Sequence, residues 1–433
     1  MTSRPRWSAR EGLAYGLLGL PLAFVALPLY VLLPHHYARA FGMPLATLGT
    51  VLLAARLLDA LTDPWLGRLS DRLFARSTRA VLAVGGLSAL VLALGLTGLF
   101  FPPVRSPDAL TAWALACLLV TYAAYSQLGI AHQAWGARLG GDELQRSRIV
   151  AWREGAALVG VVLASVLPSL WGLPAMLGVF AATLVLGWLA WARAPRPAAV
   201  PRAAGAVASG ASLWRPWARP AFRRLLAVFM LNGIASAVPA TLVLFFVQDR
   251  LQVPPVQEPL FLGAYFLCAA LSIPLWLRAV ARWGLAATWL IGMGLAVAVF
   301  AWTAGLGVGD GAAFLGVCAL SGIALGTDLA LPGALLAGVI ERQGDSGQHE
   351  GAYLGWWHFA AKLNLALAAG LALPLLDGLG YQPGTRSPEG LQALGWAYAV
   401  LPCGLKLLAA AALYGLILRR PVPTDRPLSQ GAP

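Results

Sequence analysis

Charge is scarce in this chain. Asp, Glu, Lys and Arg make up 11% of its 433 residues, while 59% are hydrophobic. A soluble protein carries about 25% charged residues, so a soluble domain is excluded. Lysine is scarcer still: Lys362 and Lys406 stand among 31 basic residues, the rest being arginine. The four cysteines (Cys117, Cys268, Cys318, Cys403) lie inside apolar segments, which excludes a disulfide framework. The five histidines form no metal-ligating spacing: His35 and His36 fall at the end of the first apolar segment and His349 in a loop. No glycine-rich nucleotide loop occurs, which argues against a primary pump. Membrane-embedded enzyme chemistry and an ATP-driven mechanism therefore have no residues to rest on.

What is present is a succession of apolar segments long enough to span a bilayer. They fall at about 12–34, 45–66, 79–101, 109–131, 149–170 and 172–192, then at about 223–247, 257–277, 284–306, 312–340, 352–376 and 394–418. Six lie on each side of "RAPRPAAVPRAAGAVASGASLWRP", which is rich in Ala, Pro, Gly and Ser and reads as a flexible linker. The expected organisation is a six-helix bundle over 1–193, a linker over 194–221, a second bundle over 222–420 and a disordered tail over 421–433. The formal charge of +13 points away from nucleic acid, because the arginines cluster in every second loop. Arg68, Arg72, Arg76 and Arg79, then Arg138, Arg146 and Arg148, then the linker, mark cytoplasmic loops and place both termini in the cytoplasm. The first apolar segment is too long for a signal peptide and reads as an uncleaved span. An all-α membrane protein of twelve helices in two sixes has the architecture of a facilitator-type transporter with its path between the halves. The expected partners are a lipid bilayer and a small-molecule substrate, with no nucleic acid and the chain acting as a monomer. The expected location is the bacterial inner membrane.

Against this apolar background a few charges sit deep in the spans. At 1.5 Å rise per residue, Asp59, Lys362 and Asp328 lie roughly 13, 15 and 20 Å from the cytoplasmic edges of their helices. All three are near the middle of a core about 30 Å thick. On a helical wheel Asp63 falls about 40° from Asp59, and Arg56 about 20° beyond Asp63. One stripe of the second helix thus carries three charges, and such a stripe faces the bundle interior. Two carboxylates four residues apart can place their oxygens around one small cation, with the Thr62 hydroxyl on the neighbouring edge. Na⁺ suits such ligands, so Asp59 and Asp63 are the candidate metal site. Alternatively one carboxylate keeps a proton beside its ionised neighbour. Lys362 at the same depth could balance the pair when the cation leaves. The plainer alternative is a structural Arg56–Asp59 pair, with Asp63 joined to a loop network of Arg68, Asp71 and Arg72.

The stretch "AARLLDALTDPWLGRLSDR" closely resembles the second-helix signature of the glycoside–pentoside–hexuronide:cation symporters, the group that includes the melibiose permeases. Arg56, Asp59, Thr62, Asp63, Pro64 and Gly67 fill its pattern. "AWGARLGGDELQRSRIVAWRE" resembles the family's passage from helix 4 to helix 5. "ERQGDSGQHEGAYLGWWHFAAKLNLALAAG" resembles its helix 10–11 segment, with Gly351 and Lys362. The resemblance runs over essentially the whole chain. It implies a cation symporter in which Asp59, Thr62 and Asp63 bind the coupling ion, Na⁺ or H⁺, with no other cofactor. It also implies that Lys362 supports that site and that Trp135 and Arg153 border the substrate cavity.

The departure from the family concerns cargo. Sugar-transporting members hold sugar hydroxyls with a carboxylate in helix 1 and another in helix 4. Here no acid occurs between Glu11 and Asp59 or between Asp108 and Asp142, and Ala23 and Ala131 stand near those positions. Alanine cannot accept a hydrogen bond as a carboxylate does. The polar groups left to meet a substrate are Tyr125, His132 and Gln133 in helix 4, Asp328 in helix 10, and Trp357 and His358 in helix 11. The resemblance implies a sugar or glycoside. The missing acids leave open an anionic solute or an amphiphile, such as the lysophospholipids carried by animal members of the wider family.

Overall fold

A computed structural model describes residues 7–197, 213–254, 257–381 and 384–419. The tail expected over 421–433 and most of the linker lie outside them. Every regular element among the described residues is helical. We number the membrane-crossing helices α1 to α12. Helix α1 covers 9–40 and is broken into shorter turns around Pro21, Pro28 and Pro34. Helices α2 (Leu45–Arg76), α3 (Thr78–Phe100) and α4 (Pro107–Arg138) follow. Residues 143–192 form α5 (143–171) and α6 (173–192), which meet at Gly172 with φ +78°. The second half holds α7 (Pro220–Arg250), then α8 (258–283) and α9 (285–303), which meet at Gly284, also at φ +78°. Glycine carries both reversals because a left-handed backbone costs it nothing sterically. Helices α10 (Gly311–Arg342), α11 (Glu350–Gly378) and α12 (Pro388–Leu418) complete the set.

Large apolar side chains project outward along these helices, among them Leu87, Leu90 and Leu94 on α3 and Leu267 and Leu271 on α8. Apolar surface on this scale is unfavourable in water and at home against acyl chains. The interior is built from separate clusters. One holds Phe24, Tyr122, Trp135 and Trp191 of the first half, and two others pack around Trp289 and around Phe246 of the second.

The halves join through glycine. A Cβ placed on Gly67 of α2 would lie 2.1 Å from the Gly351 carbonyl oxygen, and the reverse substitution would meet Gly67 equally closely. One turn along, a Cβ on Gly355 would lie 2.6 Å from the Asp63 carbonyl oxygen. Helices α2 and α11 are thus in backbone contact, as small residues permit in a medium that offers no hydrophobic drive for association. Polar bonds add to this seam. Asp71 accepts from the Gly351 and Ala352 amides at 2.7 and 2.8 Å and so caps the start of α11, where the helix dipole favours a negative charge. Arg138 at the end of α4 reaches both Asp71 and Glu350 at 2.9 Å. Arg146 pairs with Glu341, and Glu143 accepts from the Leu285 amide at 2.9 Å. All of these lie toward the end of the bundle where α1 begins, and they tie the halves together there. The loop network expected from Arg68, Asp71 and Arg72 is corrected accordingly. Arg72 is exposed, and the partner of Asp71 is Arg138, brought in by folding from 67 residues away.

Candidate functional site

The contact of α2 with α11 sets Lys362 against both aspartates. Its Nζ lies 2.7 Å from Asp59 Oδ2 and 2.8 Å from each oxygen of Asp63. It also donates to Ser126 Oγ of α4 at 2.8 Å, and that hydroxyl donates on to Asp59 Oδ1 at 2.9 Å. An ammonium ion thus sits in a shell of four oxygens drawn from α2 and α4. The acids are nearly sealed, with 3% and 0% of their side chains exposed, whereas Lys362 is 20% exposed. The lysine is thus the least buried member of the shell. Two carboxylates and one ammonium leave one net negative charge, and unit charges 4 Å apart interact by about 4 kcal/mol at an effective dielectric of 20. Without Lys362 the two ionised carboxylates would face each other with no opposite charge in this shell. Ser126 is the member of this shell that the sequence reading missed. A single serine between Tyr125 and Gln127, twelve residues before Arg138, carries no local signal of an ion shell.

Thr62 is brought elsewhere. It is exposed, and its hydroxyl donates to the Asp59 carbonyl at 2.9 Å. Threonine in a helix commonly bonds the carbonyl one turn back, and position 62 lies about 100° around the wheel from Asp63. The assignment of Thr62 to the cation shell is corrected. Arg56, one turn from Asp59, lies beside Tyr122.

A cavity of about 130 Å³ lies in the first half, between α1, α4 and α5, and is closed by a side chain from α11. Of the substrate residues read from the sequence, it brings together Tyr125, His132, Gln133, Arg153 and His358. His358 crosses from the second half and comes up against Gly129 of α4. His132 is already engaged. Its ring is fully buried, its Nε2 lies 2.8 Å from the Tyr15 carbonyl, and it is tilted over the Tyr15 ring at 4.4 Å. Ala23 lines the same space, and so does an acid the sequence reading passed over, Glu154. Arg153 donates to Glu154 Oε1 through Nε at 3.0 Å and through Nη2.

Three expectations are not met at this cavity. Trp135 is wholly buried, donates to the Pro195 carbonyl at 2.8 Å and packs edge-on against Trp191, so it is a packing residue. Trp357 stacks on Phe229 with ring centres 3.8 Å apart, inside the second half. Asp328 lies in a different and smaller cavity of the second half. There it accepts from Lys406 at 2.7 Å, from Trp289 at 2.8 Å and from Ser236 at 3.4 Å. Long side chains facing inward in a helix bundle find partners on neighbouring helices, and which neighbour is decided by tertiary packing.

A two-bundle fold of twelve helices with a charged shell bridging the bundles defines a facilitator-type membrane transporter. The chain belongs to the MFS/sugar transport protein family, which it matches over residues 12–419. That family consists of transporters, not enzymes. Among curated relatives, the inner membrane symporter YicJ of Escherichia coli (strain K12) is 29% identical over 165 residues, 37% of this chain and 35% of that protein. The uncharacterized symporter sll1374 of Synechocystis sp. is 30% identical over 195 residues, 41% of this chain and 36% of that protein. The chain thus matches about a third of the length of these relatives. The fold is similar to an outward-facing bacterial homologue of the iron transporter ferroportin. The TM-score is 0.69 at 15% identity, covering 96% of this chain and 100% of that one. It is also similar to the E. coli fucose:proton symporter FucP, with a TM-score of 0.67 at 15% identity, covering 94% and 99%. The protein is an integral, multi-pass protein of the inner membrane.

Proposed function

We propose that the protein is a cation-coupled symporter that moves a small solute by alternating access. In this reading Asp59 and Asp63 bind the coupling ion and Lys362 is its internal stand-in. The observation that carries this is the Lys362 ammonium, held at 2.7–2.8 Å by carboxylates of the other half. A positive charge at that point is a structural requirement, and the protein supplies it from α11 when no external cation does. Because the shell joins the two halves, replacing Lys362 by Na⁺ or H⁺ changes what holds α2 against α11. Ion binding is thereby linked to the rocking of one bundle against the other. Sugars or glycosides are the solute class supported by family membership and by a cavity lined with hydrogen-bonding groups. Uptake into proteoliposomes across a panel of sugars, glycosides, organic acids and lysolipids, with and without a Na⁺ or pH gradient, tests the reading. Gradient-driven accumulation should be lost in Asp59→Asn, and accumulation that persists there unchanged would refute the site.

A further inference from the structure

The cavity of the first half contains one guanidinium and one carboxylate, and both come from adjacent positions of α5. Successive residues on a helix point about 100° apart and do not ordinarily face each other. Arg153 and Glu154 nevertheless converge, with side chains 14% and 18% exposed, and both line the cavity. Arg153 spends both Nε and Nη2 on a single oxygen, Glu154 Oε1. The guanidinium also reaches the Tyr15 hydroxyl, and among the described residues Glu154 Oε2 takes no part in the bonds to Arg153, so the pair presents donor N–H groups and an acceptor oxygen side by side. Gln133 and Tyr125 add neutral polar groups, while Gly19, Ala23 and Ala157 leave the walls shallow.

We infer that Glu154 is a substrate-contacting residue and that its pairing with Arg153 selects uncharged, hydroxyl-rich solutes over anions. This rests on the transport reading above and sharpens it. A hydroxyl both donates and accepts, so two neighbouring hydroxyls can give one hydrogen bond to Glu154 Oε2 and take one from an Arg153 N–H group without separating the ion pair. An anionic group meets a different situation. Arg153 is already neutralised, the nearest unoccupied oxygen is a carboxylate, and like charges at contact raise the energy of the complex. The acid absent from α1 and α4 is thus supplied from α5, one residue beyond the arginine it restrains.

The test is equilibrium binding to the purified full-length protein, read by calorimetry. The probes are the methyl glycosides of glucose, galactose and xylose, each hexose also as its 6-carboxylate and 6-sulfonate. The wild type should bind at least one neutral glycoside and bind the charged counterpart at least tenfold more weakly. Glu154→Gln should weaken neutral binding at least tenfold and shrink or invert that ratio, because Arg153 is released toward anions. Glu154→Asp keeps the carboxylate and should keep the preference. The ratio between neutral and anionic ligands is the decisive readout, since a general loss of structure would lower both together. An unchanged ratio in Glu154→Gln, a wild type that favours the anionic forms, or one that binds none of the neutral glycosides would overturn the assignment. Failure of the transport reading would show separately, as gradient-driven accumulation unaffected by Asp59→Asn.

Discussion

The protein has two lysines, and each holds a carboxylate inside the membrane, yet the two clusters are built differently. Lys362 lies on α11 of the second half, and its acids lie on α2 of the first. Lys406 lies on α12 and its acid, Asp328, on α10, both in the second half, with Trp289 and Ser236 completing that cluster. A pair confined to one bundle keeps its partners however the bundles move. A pair that spans both must break or be replaced whenever they separate. The chemistry is nearly the same in the two places, and topology makes one a fastening within a bundle and the other a coupling between bundles.

The largest effects should separate the two clusters most sharply. Asp59→Asn should lower cation-driven accumulation by at least a hundredfold, measured as uptake into proteoliposomes, with the melting temperature little changed. Lys406→Ala should do the reverse. It leaves Asp328, 14% exposed, without its counter-ion, which should cost about 2–3 kcal/mol of stability, seen as a lower melting temperature in detergent, while the ion dependence of the remaining uptake is preserved. Next in size is Gly355→Ala. Its new methyl group would press on the Asp63 carbonyl and push α2 from α11, so cation-driven uptake should fall about tenfold with little change in solute affinity. Arg138→Ala removes the link between Asp71 and Glu350 and should open the seam where α1 begins. Labelling of a cysteine introduced there should become several-fold faster.

A smaller, pH-dependent effect is expected at Asp345, in the loop between α10 and α11. It is bonded by Arg215 at 2.7 Å, by Arg219 at 3.2 Å and by the Tyr353 hydroxyl at 2.7 Å. Burial raises the pKa of its carboxyl, but the bonds from Arg219, Tyr353 and Arg215 outweigh this and hold it below its ordinary 3.8. A carboxyl lowered in the folded state contributes stability at pH values above 3.8, and the contribution is lost as the pH falls further. Melting curves of wild type and Asp345→Asn should therefore differ at neutral pH and converge below about pH 4. The smallest effect should be that of Thr62→Ala, within about twofold of wild-type uptake, because its hydroxyl serves only its own helix.

How much of this was legible in the sequence depends on the range of the signal. The stripe of Asp59 and Asp63, the depth of Lys362 and the six-plus-six division are matters of period and length along single helices, and the fold follows from them. The close glycines were visible as Gly67 and Gly351, but not that they touch. Thr62 was misplaced because a residue type was weighed above its angle. Trp135 was assigned to the cavity by resemblance, whereas its neighbours Trp191 and Pro195 come from more than fifty residues away. A substrate acid was expected in α1 or α4. Glu154 was hidden beside Arg153 because adjacent residues on a helix are not expected to share a face.

The central claim is that Lys362 occupies the position of the coupling cation, and Lys362→Ala tests it most directly. Binding of Na⁺ to purified wild type and variant should be measured by calorimetry, with proton exchange followed in weakly buffered solution during the same titrations. The account predicts that removing the internal competitor tightens cation binding at least tenfold, as Na⁺ affinity or as a raised pH midpoint of proton uptake. Solute turnover should slow at the same time, because nothing then helps to expel the ion. Cation binding that is unchanged or weaker in Lys362→Ala would contradict it.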